Sequence, residues 1–227
     1  MKKLLLVICI NSIATTIYAQ GSENSELSRM QVGIAVGPNL THIVTVYNSH
    51  PFNDKHKPGI SYSSGLFFQY NFSSTSSIHT EIVYARKSVW NKITYSDITG
   101  QTEWKEYLIY QRLILPVLYR ISFNNFFINA GVYGGYAANN VYALKNPVLI
   151  NGESRVGDPY RAKVVVDKPF YKGILAGIGY NFINEKSYSL SFELRDDFEF
   201  TTMESFDRTN RYRINTINLL FGFAFKL

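Results

Sequence analysis

The chain is nearly free of cysteine, has no long apolar run and carries no dense block of one charge, and each shortage closes off a class of protein. Cys9 is the only cysteine in 227 residues, so no intrachain disulfide and no multi-thiolate metal site can form. No stretch approaches the roughly 20 apolar residues that a membrane-spanning helix needs. Lys and Arg number 23 against 17 Asp and Glu, a formal net charge of +6, yet the bases form no dense run, which argues against nucleic acid as a partner. A Gly-rich phosphate loop, a zinc-ligand spacing and a nucleophile elbow are all missing. No cofactor is expected.

The N-terminus reads as an export signal: Lys2 and Lys3 precede the apolar run Leu4 to Ile10, and small residues from Ala14 to Ala19 lead to Gln20. Cleavage is expected after Ala19, with Ile17 and Ala19 facing the peptidase. Cys9 follows the bulky Ile8 inside the apolar run, which does not suit a lipoprotein. With Lys2 and Lys3 removed, the basic excess becomes modest.

What the chain does have is 17 Tyr and 16 Phe against 2 Trp, with Gly placed inside strand-like segments. In the closing segment, Leu219, Phe221, Phe223, Phe225 and Leu227 fall on one parity, and Asn218, Leu220, Gly222, Ala224 and Lys226 on the other. One face is large and apolar, the other mostly small or polar. The same period of two recurs in seven earlier segments, from Val32, Ile34 and Val36 to Tyr188, Leu190, Phe192 and Leu194. An exported chain with such strands can cross a membrane only as a closed barrel, because closure satisfies every backbone donor and acceptor in lipid. The expected fold is all-β, an eight-stranded antiparallel up-and-down transmembrane barrel. Its organisation is a signal peptide over 1–19, a short periplasmic segment over 20–29 and the barrel domain over 30–227.

Connection lengths support the count. Ser73 to Thr75, Ser122 to Asn125 and Ile183 to Ser187 are tight turns, whereas Tyr47 to Pro58, Ser88 to Glu106, Asn139 to Pro169 and Asp196 to Arg213 are long. Their alternation matches periplasmic turns and extracellular loops, with both termini in the periplasm. Tyr70, Phe72, Phe123, Phe126, Tyr180, Phe182 and Tyr188 lie beside the tight turns as one aromatic girdle, and Trp90, Tyr107, Tyr110, Phe170, Tyr171 and Tyr212 form the other. Pro116 removes a ladder donor inside a strand paired on both sides, so a bulge is expected there.

The inward parity carries Glu81, Lys87, Arg112, Arg120, Glu193, Arg195 and Lys226, two acids among five bases. An ion path and a structural charge network are the two readings. An eight-stranded barrel is only wide enough for side chains to fill it, and charges inside survive by pairing, so the network of Glu81, Lys87, Arg112, Arg120, Glu193 and Arg195 is favoured. His42, His50, His56 and His79, with Asp54, show no nucleophile at a diagnostic spacing, and loop histidines are ordinarily solvated. No catalytic and no metal site is expected. The longest loop, Asn139 to Pro169, carries charges of both signs and a Val164 to Val166 run that suits a short strand.

Several of these stretches resemble the PorT-like, porin-family small outer-membrane β-barrels: Val32 to Leu40, Glu81 to Lys87, Leu113 to Leu118 with its proline, Phe127 to Gly131, Gly173 to Gly179, Phe192 to Arg195 and the closing strand. The resemblance implies an eight-stranded barrel in the bacterial outer membrane and a C-terminal signal, here Phe221, Phe223, Phe225 and Leu227, read by the barrel assembly machinery. It implies no catalytic activity. Many such barrels end in Phe where this chain ends in Leu227. The expected function is a non-enzymatic envelope structural or surface-interaction role, in contact with outer-membrane lipid and lipopolysaccharide. The alternatives are an accessory component of protein export with an envelope or secretion partner, a narrow channel, and a lipid-modifying barrel enzyme.

Overall fold

The computed structural model describes residues 29–227 apart from 48–52, 98–99, 146–147, 151–152, 156–160, 165–168 and 205–210. The expected signal peptide 1–19 lies outside the described residues, as does nearly all of segment 20–29. In chain order the strands are β1 (Met30–Tyr47), β2 (Asn53–Asn71), β3 (Ser76–Asp97), β4 (Gly100–Phe123), β5 (Phe126–Lys145), β6 (Val148–Ile150), β7 (Glu153–Arg155), β8 (Arg161–Val164), β9 (Phe170–Asn184), β10 (Tyr188–Glu199), β11 (Met203–Glu204) and β12 (Arg211–Lys226). Among the described residues no helix is long and apolar enough to cross a membrane.

Eight of these strands close a barrel in the order β1-β2-β3-β4-β5-β9-β10-β12. The seam is antiparallel, with Gln31 opposite Lys226, Ile34 opposite Phe223 and Val36 opposite Phe221. Beyond the barrel, β8 adds to β5, β11 adds to β12, and β6 pairs with β7. The parity is the reverse of a water-soluble sheet: Ile34 (51% exposed), Leu66 (63%), Val132 (61%) and Phe221 (52%) face outward, while polar and charged residues are sealed within. So wide an apolar exterior fits lipid.

At one end the strands turn tightly, at residues 72–75, 124–125 and 185–187. Asn124 adopts a left-handed φ of 54°, a conformation that Asn tolerates better than most side chains. Tyr70 with Phe72, Phe126 with Tyr180, and Phe223 with Phe225 place ring centroids 4.6–5.4 Å apart at this end. At the other end, much of what reads as long loop is strand. The β3–β4 ladder continues from Ser88 opposite Ile109 to Asp97 opposite Gly100, and β2 begins at Asn53. Cross-strand β-formers explain the extension; Trp90 and Tyr107 pack with tilted rings, centroids 4.4 Å apart. Tyr110 and Tyr171 also depart from the expected outer girdle, because both are buried inside the barrel.

Pro116 sits in no bulge. It pairs with Tyr133 in register on the β5 side, and on the β3 side the pairing lapses between Thr80–Val117 and Val83–Ile114 without a shift. The missing N–H therefore faces β3, where the Thr80 hydroxyl donates to the Pro116 carbonyl at 3.0 Å. A bulge does occur at Pro58, where the β2–β3 register slips between Pro58 and Tyr62. Gly59 lies within it, where a Cβ would come 2.2 Å from the Ser88 carbonyl.

Candidate functional site

The barrel interior is built in layers. Nearest the tight turns, aromatic rings lie on glycines directly opposite: Phe67 on Gly33 and Phe127 on Gly179. A Cβ at Gly179 would come 2.1 Å from the Phe127 ring, so glycine is what lets the ring lie flat across the narrow lumen. Tyr133 on Gly173 and Tyr171 on Gly135 repeat the device higher up.

Above the first rings lies a charge cluster centred on Arg195. Its Nη1 and Nη2 donate to Glu81 at 2.9 and 2.6 Å, and its Nε donates to Glu193 at 2.5 Å. Arg120 donates to Glu193 at 3.4 Å, to Gln69 at 2.8 Å and to Asn129 at 2.8 Å, while its guanidinium stacks 4.0 Å above the Phe127 ring. His79 bridges the cluster's edge, 2.6 Å from Glu81 and 3.3 Å from Gln69. An apolar layer of Val83, Ile114, Leu118 and Leu175 follows.

A second charge cluster lies beyond it. Lys87 Nζ is 3.5 Å from Asp197, Arg112 donates to Glu199, and the Arg112 guanidinium stacks 4.2 Å from the Tyr171 ring. Val89, Tyr110 and Ile214 form an apolar cap over this layer. The interior thus alternates charged and apolar strata.

Six sequence-predicted interior residues occupy these clusters: Glu81, Arg120, Glu193 and Arg195 in the first, Lys87 and Arg112 in the second. Two interior acids, Asp197 and Glu199, go unrecognised when the seventh strand is ended at Arg195. The signal is present, since Glu193, Arg195, Asp197 and Glu199 continue one parity and β10 runs to Glu199. With both included, four buried carboxylates balance Lys87, Arg112, Arg120 and Arg195. Lys226 is not part of either cluster; it ties down the rim by donating to Asn184 and to the Glu185 carbonyl at 2.7 and 2.5 Å.

His42, His56 and His79 do not converge. His42 lies opposite Asn215, His56 meets the Tyr212 ring edge-on at 5.2 Å, and His79 belongs to the first charge cluster. The grouping of His50, Asp54 and His56 rests on His50 and the Asp54 side chain, which lie outside the described residues. Among the described residues no group of three or more His, Cys, Asp or Glu could hold a metal. Of the C-terminal signal residues, Phe221, Phe225 and Leu227 face outward and exposed, Phe223 meets the Phe225 ring edge-on, and the Leu227 amide donates to the Met30 carbonyl at 2.9 Å.

Among solved structures, the fold is similar to Ail, the attachment invasion locus protein of Yersinia pestis, at 10% identity over 87% of this chain and 99% of that one, with a TM-score of 0.39. Neisserial surface protein A matches at 12% identity over 87% and 97%, TM-score 0.39. The outer membrane protein OprG from Pseudomonas aeruginosa matches at 12% over 87% and 95%, TM-score 0.37. Comparison with curated proteins gives no match. Residues 18–205 match the family described as the outer membrane protein beta-barrel domain. Spanning most of the chain, that match joins the closed eight-stranded architecture in one conclusion: the protein belongs to the outer-membrane β-barrel domain family.

Proposed function

We propose that this protein is a non-enzymatic, non-conducting barrel of the outer membrane whose work is done at its extracellular face, in surface interaction or envelope structure. The observation that carries the reading is the filled interior. Four cations and four carboxylates pair within it, and apolar strata separate and cap the clusters, so the carboxylates are tied up as structure. On the outside, β2 to β5 supply a raised sheet. From Gln111 to Gly100 on β4, at about 3.3 Å per residue, some 36 Å of strand continues past the outward belt. The tight turns and both termini face the periplasm in this reading, and lipopolysaccharide surrounds the raised end.

The test is conductance and labelling together. In planar bilayers the expected result is no unitary current; steady current steps would replace this reading with a channel. On intact cells, Ser96→Cys is expected to react with a membrane-impermeant maleimide and Lys186→Cys to be protected. The chain's own Cys9 lies in the segment expected to be removed. The reverse labelling pattern overturns the orientation.

A further inference from the structure

A cavity of about 20 Å³ sits between the two charge clusters, inside the apolar layer. Its lining includes the apolar Val83, Ile114, Leu175 and Leu220, together with Arg195 of the first cluster and Asp197 of the second. Oδ1 of Asp197 is buried, and it has no hydrogen-bond partner among the described residues. We propose that this cavity is a binding site for a single water molecule, which joins the two clusters into one network.

The chemistry selects the occupant. Arg195 repels a metal cation and Asp197 repels an anion, whereas a water can accept from the guanidinium and donate to the carboxylate. The volume suits one such molecule, since a water needs about 10–15 Å³ measured this way. A buried carboxylate oxygen without a donor is costly, which gives the site its affinity.

The water also lies between two stretches of a polar chain. From the tight-turn end, Asn71 bonds Gln69 at 2.8 Å, Gln69 meets His79 at 3.3 Å, and His79 leads through Glu81 to Arg195. Beyond the cavity, Asp197 and Asn218 share its lining, Ser63 donates to Asn218 at 2.9 Å, and Asn39 donates to Ser63 at 2.8 Å. Thr41 and Thr216 extend that chain toward the cap. With the water in place, the two polar stretches meet at the cavity.

The experiment uses the full barrel refolded in detergent micelles with labelled methyl groups. Laboratory-frame and rotating-frame water NOE spectra are read at the Leu175 and Leu220 methyls, which line the cavity. The expected result is a cross-peak with the sign of a long-lived water in the wild type and its loss in Val83→Ile, which adds one methyl to the wall. Absence of that cross-peak in the wild type overturns the proposal, and this spectrum decides the matter even if Val83→Ile does not fold. Melting supplies a second readout. Filling a dry apolar void raises Tm, whereas evicting a water that Asp197 requires lowers it, here by about 2–4 °C. A raised Tm in Val83→Ile overturns the proposal.

Discussion

Arg195→Leu is expected to be the most damaging single substitution in the lumen. Its guanidinium makes three hydrogen bonds to two carboxylates, two to Glu81 and one to Glu193. Without it, Glu81 keeps only His79 at 2.6 Å, and Glu193 keeps Arg120 at 3.4 Å. Removing one partner of a buried pair costs about 3–5 kcal/mol, because the other charge is left uncompensated. Glu193→Gln preserves the Arg195–Glu81 bonds and is expected to cost less, about 1.5–3 kcal/mol for a lost charged hydrogen bond. Arg195→Leu with Glu193→Leu restores equal numbers of buried cations and carboxylates, so the double variant is expected to be more stable than Arg195→Leu alone. The assay is urea unfolding of the barrel in phospholipid vesicles, followed by the migration of folded and unfolded forms on unheated gels. An Arg195→Leu barrel within about 1 kcal/mol of wild type, far below the cost of an uncompensated buried charge, would refute the reasoning. So would a double variant less stable than the single one.

Two further outcomes follow from the packing and the terminus. Gly179→Val forces the Phe127 ring away from its site and disturbs Arg120 stacked upon it, an overpacking cost of about 1–3 kcal/mol by the same unfolding assay. Gly134→Val, on the outward face with nothing within 4 Å of a new Cβ, is expected to leave stability unchanged; equal losses at both glycines would contradict the ring-on-glycine account. At the C-terminus, Phe225→Ser with Leu227→Ser is expected to lower the fraction of chains that reach the heat-modifiable, membrane-inserted form in a pulse-chase. Leu227→Phe is expected to keep or raise it, and an unchanged inserted fraction in the double variant would remove the signal role from these residues.

The architecture was legible because lipid and lumen impose opposite demands on alternate residues. Leu219, Phe221, Phe225 and their counterparts on seven other strands could be assigned by parity without any tertiary information. The lumen was legible in part, since parity placed Arg195 and Glu81 inside but could not choose their partners. Register decides that Arg195, and not Arg112, faces Glu81, and register depends on closure across strands far apart in sequence. Asp197 and Glu199 are hard to read from sequence, because a run of acids following Arg195 resembles a solvated loop although its alternation continues. The prolines show the same limit. Pro58 and Pro116 carry the same local defect, and only the neighbouring ladders determine that one becomes a bulge while the other is absorbed by an in-register lapse beside Thr80.

The central claim is that β1 and β12 close a barrel within the outer membrane, and the most direct measurement is a crosslink across that seam in its native setting. Ile34 and Phe223 are direct antiparallel partners, within the reach of a disulfide once both are cysteine. The account predicts that Ile34→Cys/Phe223→Cys fractionates with the outer membrane and oxidises there to a covalently closed form with altered migration on heated, non-reducing gels. A double-cysteine chain recovered in the soluble periplasm, or one that stays open in the outer membrane under the same oxidant, would contradict it.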